Sequence, residues 1–198
     1  TNIKTRTELI KIIKNLLHKI KNTNKNIIIE EHYNGDNYRV MVFNDKVMVI
    51  TKRGMPYVLG DGNTRLRDLI DKHRQSRYKI HEIDEPYIHS QNVTLDTVIP
   101  KNKKIIVSKV NNYHNGAPII NIPLNNVHPE NIIMFKNVNK VLNVNLSGID
   151  YMTKDLFTPY YIDGIVLEVN EFPDITMHCD SIKGSNKTSF VDKFYNTL

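Results

Sequence analysis

The chain has one cysteine, Cys179, in 198 residues. That excludes an internal disulfide and any zinc site built from several thiolates. No apolar run reaches the roughly 18 residues that a membrane helix needs, and no charged n-region, apolar core and small-residue cleavage site open the chain. Internal repeats and Gly/Ser-rich linkers are absent, and so are a G-x-S-x-G nucleophile elbow and a convincing Cys/His pair. The expectation is a soluble, disulfide-free, cytoplasmic protein. Apolar residues at 40% and charged residues at 24% suffice for the core of one domain, or of two small lobes sharing a cleft. The chain begins at Thr1 rather than Met, as an excised fragment or trimmed chain would.

Acidic charge is scarce at one end only. The net charge is +6, and residues 1–26 account for it: Lys4, Arg6, Lys11, Lys14, Lys19, Lys21 and Lys25 stand against Glu8 alone. The remaining residues balance. The basic surplus therefore belongs to one helix and not to the fold. It reads as a solvated face or as a contact for a polyanion, and no interleaved aromatics favour nucleic-acid bases. Asparagine is abundant, at 25 residues, which reads as compositional drift.

Thr5 and Glu8 form a capping box, and Leu9, Ile10, Ile12, Ile13, Leu16, Leu17 and Ile20 follow as one helical stripe. Ile27-Ile28-Ile29 reads as a short buried strand. A hairpin is expected next, Arg39–Phe43 and Lys46–Thr51, joined at Asn44-Asp45 by a two-residue primed turn. A helix should run from Thr64 to about Arg74, with Leu66, Leu69 and Ile70 inward. Residues 75–103 read as loop with short structured pieces. Lys104–Val110 should be a strand, Pro118–Pro123 an extended piece, and Pro129–Val141 a helix with proline at its favoured first position. Ser147–Met152 and Ile162–Val169 read as paired antiparallel strands, and Ser189–Tyr195 as a terminal helix. Hairpins mixed with helices, without regular βαβ units, give the class α+β.

Strand geometry isolates one candidate site. Residues i and i+2 share a face, so Glu168 and Asn170 project together from an otherwise apolar strand, and a neighbour could bring Asp150 beside them. Two carboxylates and an amide oxygen suit a hard cation, Mg²⁺ in particular. The same residues allow a bland alternative, in which Glu168 pairs with a lysine and Asn170 caps a turn. Elsewhere, His81-Glu82 with Asp84-Glu85 and His178-Cys179-Asp180 are weak metal candidates. Gly60-Asp61-Gly62 reads as a tight turn, not a phosphate loop. His128 belongs to a helix entry, and Tyr160-Tyr161 to a strand edge.

The order of motifs carries more than any one of them. Glu30-Glu31-His32-Tyr33-Asn34-Gly35-Asp36-Asn37-Tyr38-Arg39, Lys52-Arg53, Gly60-Asp61-Gly62 and Asn112-Tyr113-His114-Asn115-Gly116 come first. His128-Pro129-Glu130-Asn131, Gly148-Ile149-Asp150, Glu168-Val169-Asn170 and Met177-His178 follow. This series resembles the ATP-grasp carboxylate–amine ligases, and within them the cyanophycin synthetases and the fused glutamate–cysteine ligase/glutathione synthetases. The resemblance covers about residues 5–198.

It implies an ATP-grasp fold, partial here: antiparallel sheets with flanking helices, without the N-terminal small lobe and its glycine-rich loop, since residues 1–26 hold no glycine. Residues 1–29 would be the tail end of that lobe and 30–198 the C-terminal catalytic region. It implies ATP and Mg²⁺ as cofactors, two ions, held by Asp150, Glu168 and Asn170. Ile29, Glu30, Glu31 and His32 match the adenine hinge. Asn37, with Asp36 adjacent, falls where an acid often meets ribose. Arg39 and Arg53 match arginines of the central region, Arg53 towards the acceptor or phosphate. Lys109 replaces the usual arginine, keeping its charge without the bidentate fork, and Asn112 and Gly116 match the loop that follows. Ala117 stands for a usual glycine, Pro173-Asp174 for a common Pro-Gly, and His178 and Gly184 match a loop near the acceptor pocket.

The implied activity is amide or peptide bond formation through an acyl phosphate, between small amino-acid or peptide substrates, with Arg53, Lys109 and Asn112 as catalytic residues. Dimers are common in such families, so a homodimer is among the expected partners, whereas nucleic acid and membrane are not. The competing expectation is a degenerate, non-catalytic module that binds a partner or polyanion through the basic helix.

Overall fold

The computed structural model describes residues 3–20, 26–74, 79–179 and 195–197, and the chain divides into two compact units, 1–34 and 35–198. In the first, α1 (Arg6–Ile20) starts as its capping box requires. Thr5 Oγ1 accepts from the Glu8 N–H at 3.2 Å, while the Glu8 carboxylate reaches back to the Lys4 N–H, also at 3.2 Å. The α1 stripe of Leu9, Ile12, Ile13 and Leu16 faces Ile27–His32 across a cavity of about 280 Å³. Ile27-Ile28-Ile29 is not a strand, contrary to expectation. A strand exists only through its ladder, and no described segment pairs with this one, so Ile28 and Ile29 lie exposed.

The second unit is built on the hairpin. β1 (Asp36–Phe43) and β2 (Lys46–Arg53) pair in register from Asn37↔Arg53 to Phe43↔Lys46. Asn44 and Asp45 both take positive φ, 45° and 58°, as the primed turn demands. The remaining strands are β3 (Tyr57–Leu59), β4 (Lys104–Ile106), β5 (Ile119–Ile122), β6 (Leu146–Thr153) and β7 (Ile165–Asn170). Antiparallel pairing gives a five-stranded sheet in the order β5-β2-β1-β6-β7, with β3 and β4 forming a separate ribbon. The strand expected over Lys104–Val110 stops at Ile106. Beyond it the Val107 N–H donates to Pro56 O, just before β3, and the Val107 carbonyl accepts from the Asp84 N–H.

Among its described residues the unit also has the α-helices α2 (Leu66–Arg74), α3 (Glu85–Ser90) and α4 (Pro129–Leu142). α4 lies against β1, β2 and β6. Its Phe135 is fully buried, edge-on to Tyr151 with centroids 5.0 Å apart, within a core of Tyr38, Val40, Val42, Ile50 and Ile149. One face of the large sheet is thereby committed to packing. A second cluster, Val58, Leu66, Ile70, Ile88, Ile99 and Ile105 among others, joins the β3–β4 ribbon to α2 and α3. The expected helix over Ser189–Tyr195 lies outside the described residues except for Tyr195. No described helix is long and apolar enough to cross a membrane.

Candidate functional site

The other face of the sheet carries a row of polar side chains. Register places Asn121 of β5 opposite Thr51 of β2, Thr51 opposite Arg39 of β1, Arg39 opposite Asp150 of β6, and Asp150 opposite Glu168 of β7. Directly opposed residues share a face, so five consecutive strands each contribute one polar group. Two residues along, Arg53 opposes Asn37 on one side of the row, and Gly148 opposes Asn170 on the other. Asp150, Glu168, Asn170, Arg39, Arg53 and Asn37 are thus brought together.

Two arginines converge on one carboxylate oxygen. Asp150 Oδ1 lies 2.8 Å from Arg39 Nε and 3.0 Å from Arg53 Nη2, with the three side chains only 11–14% exposed. Arg39 Nε and Asp150 Oδ1 are nonetheless buried without a directed hydrogen bond. The approaches are short but off the N–H axes, so the clasp is an ion pair and lacks the directional component of a linear bond. Arg53 is aimed by Asn37, whose Oδ1 accepts from Arg53 Nε at 2.7 Å. Arg39 runs along the sheet face over Gly148 and donates from Nη1 to the Gly148 carbonyl at 3.3 Å. A Cβ at Gly148 would come within 2.6 Å of both Arg39 Nη1 and Pro173 Cβ, and this close approach is what glycine permits. Burial pushes the Arg39 guanidinium below its usual range, as does Arg53, against the pull of Asp150, Glu168 and Asp174. Asp36 and Lys52 form a further ion pair on the same hairpin.

One orientation of the Asn170 amide satisfies both of its neighbours. In it, the amide nitrogen donates to Glu168 Oε1 at 3.3 Å and the oxygen accepts from Arg39 Nη1 at 3.2 Å. Turning the amide over would bring its oxygen beside the Glu168 carboxylate, an arrangement that a shared cation would require. Glu168 is exposed, and both arginines approach Asp150 through Oδ1. The donor set of Asp150, Glu168 and the Asn170 amide oxygen is all oxygen and hard, a chemistry that fits Mg²⁺, although Asp150 Oδ1 is held by the two arginines. No group of three or more His, Cys, Asp or Glu side chains capable of holding a metal occurs among the described residues, so the amide is needed to complete this set.

The remaining expected site residues are not part of the register of this row. Ile29, Glu30, Glu31 and His32 belong to the first unit, where His32 Nε2 is 3.0 Å from Asn34 Oδ1. Lys109 Nζ sits over the Tyr87 ring of α3, 4.4 Å from its centroid. Asn112 caps a single 3₁₀ turn, Tyr113–Asn115, by accepting from the His114 N–H at 3.0 Å. The turn ends at Gly116, whose φ is 74°. Asn115 is buried and accepts from the His81 and Glu82 N–H groups at 2.8 Å each. His114 approaches Asp174 to 3.8 Å, which ties this turn to the segment after β7. Burial works to raise the Asp174 carboxyl, but the Thr176 hydroxyl and N–H, with His114 and His178 near, bring it below the usual range.

Three participants were not anticipated. Thr51 and Asn121 form a buried relay with His178: Thr51 Oγ1 donates to Asn121 Oδ1 at 2.8 Å and meets His178 Nδ1 at 2.6 Å, while Asn121 Nδ2 donates to the His178 carbonyl at 3.0 Å. Burial drives the His178 imidazole down to about 3, with Arg39 and Arg53 adding to it and Asp174 opposing. Gly148, whose motif with Asp150 was noted, is the third in that its role beneath Arg39 was not foreseen. The available signal for Thr51 and Asn121 was the one that exposed Glu168: a polar residue at even spacing in an apolar strand.

No family model matches the chain. Over 173 residues it is 30% identical to the cyanophycin synthetase of Synechocystis sp., covering 81% of this chain and 20% of that protein. It is 25% identical over 174 residues to the bifunctional glutathione biosynthesis protein of Desulfotalea psychrophila, covering 81% and 22%. Among solved structures, a bifunctional glutathione synthetase from Pasteurella multocida superposes with a TM-score of 0.67 at 19% identity, covering 84% of this chain and 24% of that one. The chain has an ATP-grasp fold. It spans about a fifth of the length of the relatives it matches, which are named as a cyanophycin synthetase and a glutathione biosynthesis protein.

Proposed function

We propose that this chain is the cation- and phosphate-binding region of an ATP-dependent ligase that joins a carboxylate to an amine through an acyl phosphate. The reading is carried by one observation: an ATP-grasp sheet presents Asp150, Glu168, Asn170, Arg39 and Arg53 on a single face. Asp150, Glu168 and Asn170 would hold Mg²⁺, and such an ion supplies charge neutralisation of the phosphoryl oxygens. The protein's own part is positioning. Arg39 and Arg53, one tethered over Gly148 and the other held by Asn37, present fixed cations to an oxyanion, where preorganised charge is worth most. Their burial lowers the local dielectric and strengthens that attraction. Ile29–His32 would hold the adenine edge. Acceptors would be small amino acids or peptides, and the complete ligase, longer than this chain, would supply turnover. The cyanophycin and glutathione enzymes among the relatives suggest amino-acid carboxylates and amines as the substrate class.

The test is the melting temperature of this chain with and without Mg²⁺-ADP, beside Glu168→Ala. Ligand at about a hundredfold over its dissociation constant adds roughly 2.7 kcal/mol, a rise of about 5–10 °C for a chain of this size. The expected result is a metal-dependent rise that the variant loses while keeping its fold, since Glu168 is exposed. A rise that survives in Glu168→Ala refutes the metal assignment. No rise in this chain or in the complete protein refutes the nucleotide reading and favours a non-catalytic module.

A further inference from the structure

Asp150 is committed twice. As a metal ligand it must direct an oxygen at the cation, yet its Oδ1 is also the shared counter-ion of Arg39 and Arg53. The two arginines and the two carboxylates Asp150 and Glu168 sum to no net charge, so neither an anion nor a cation meets an unopposed field here. Arg39 is moreover placed to take the Asn170 oxygen at 3.2 Å in the orientation that hydrogen-bonds both neighbours. The closed cluster is therefore self-satisfied in charge, with its central contact strained out of line at Arg39 Nε.

We propose that Asp150 makes this a coupled pair of sites: a divalent cation draws Asp150 and Asn170 away from the arginines, and the freed arginine pair then takes an oxyanion of phosphate or carboxylate type. The inference rests on the metal reading above and adds an order to it. Before the cation arrives, the Asp150 carboxylate occupies the place of the anion. Once Asp150 and the Asn170 oxygen turn to the cation, Arg39 keeps only the Gly148 carbonyl and Arg53 only the Asn37 amide, and two shielded guanidiniums without their shared counter-ion are costly until an anion replaces what left. Cation and anion then raise each other's affinity by the same factor, because coupling between sites is reciprocal. An empty cluster would thus hold its arginines screened, and would expose a strong oxyanion site only with the metal in place.

The test uses this chain, Mg²⁺ and inorganic phosphate as probes, at constant ionic strength, with calorimetric titration and thermal melting as readouts. In the wild type, phosphate affinity should rise about tenfold or more when Mg²⁺ is present, within the usual range of coupling, and Mg²⁺ affinity should rise by an equal factor with phosphate. Asp150→Asn should bind phosphate tightly without Mg²⁺ and gain nothing from it, because the arginines start released. Arg53→Gln should retain Mg²⁺ binding while losing the coupling, and it keeps the test sharp if Asp150→Asn folds poorly. Equal phosphate affinity with and without Mg²⁺ in the wild type overturns the coupling and leaves the metal reading standing, provided Mg²⁺ alone still raises the melting temperature. Absence of any Mg²⁺ response overturns both. If Asp150→Asn binds phosphate no more tightly than the wild type does without Mg²⁺, the carboxylate is not what blocks the arginines, and the coupling is refuted even where Mg²⁺ and phosphate cooperate by direct contact.

Discussion

His178 makes stability depend on pH in a window that can be worked out beforehand. Its side chain is buried beneath β2 and β5 and its pKa is lowered from 6.5 to about 3. The folded chain therefore keeps the imidazole neutral at pH values where the unfolded chain protonates it. Stability from this group is complete above pH 6.5 and is lost as pH falls towards 3, because the unfolded state binds the extra proton. At pH 5 the loss is about 2 kcal/mol, from one and a half pH units at about 1.36 kcal/mol each. For a chain of this length that is about 4–8 °C in melting temperature. Asp174, depressed below the usual carboxylate value of 3.8, contributes above that value and loses its share only at lower pH, so pH 5 isolates the histidine. The assay is urea unfolding at pH 7 and pH 5 for the wild type and His178→Asn. The variant is less stable at both values, and the informative quantity is the difference between the two pH slopes. A variant that loses as much as the wild type between pH 7 and 5 would refute the reasoning, since the proton uptake would then belong to other groups.

Gly148→Ala should cost about 1–3 kcal/mol by overpacking and weaken the Mg²⁺-ADP response, because the added Cβ meets Arg39 and Pro173; unchanged melting would sink the account of how Arg39 lies. Asn115→Ala strands the His81 and Glu82 N–H groups and should cost about 2–3 kcal/mol in urea unfolding, whereas a loss below about 0.5 kcal/mol would mean that water replaces the amide. Asn143 ends α4 with φ at 54°; Asn143→Ala should destabilise by about 1 kcal/mol and Asn143→Gly should not, and equal effects would place the contribution in the side chain.

How much of this was legible in the sequence depends on the separation of the partners. Glu168 and Asn170 are two residues apart, and strand periodicity alone put them on one face. The hairpin was legible for the same local reason, down to its turn at Asn44-Asp45. Asp150 could be guessed as a neighbour, but not that Arg39 lies opposite it. That contact joins positions 111 residues apart in the chain and is decided by the register of β1 on β6, which the chain's local pattern does not encode. Ile27-Ile28-Ile29 shows the converse failure. Its β propensity is real, but propensity describes a fit to neighbours, and no described strand stands beside it.

Asparagine shows most clearly why composition was misjudged. Read as drift, it turns out to fill two structural roles. Asn44, Asn92, Asn102 and Asn143 occupy left-handed backbone positions that glycine holds in most chains and asparagine tolerates, in a sequence with only eight glycines. Asn115, Asn121, Asn131 and Asn139 are buried amides that fasten loops to the frame. Asn131 alone binds the carbonyls of Leu156 and Thr158 and the N–H of Tyr160, and Asn139 pairs with Ser147 behind the β6 strand that bears Asp150. An amide both donates and accepts without charge, so it can satisfy irregular backbone where a carboxylate would add its own desolvation cost. Among the described ion pairs, the side chains of Arg39, Arg53 and Asp150 in the polar row are the least exposed. Neutral amides hold the frame and also join the row, at Asn37, Asn121 and Asn170, so it is the shielded arginine–carboxylate cluster on which the proposed cation and oxyanion site rests.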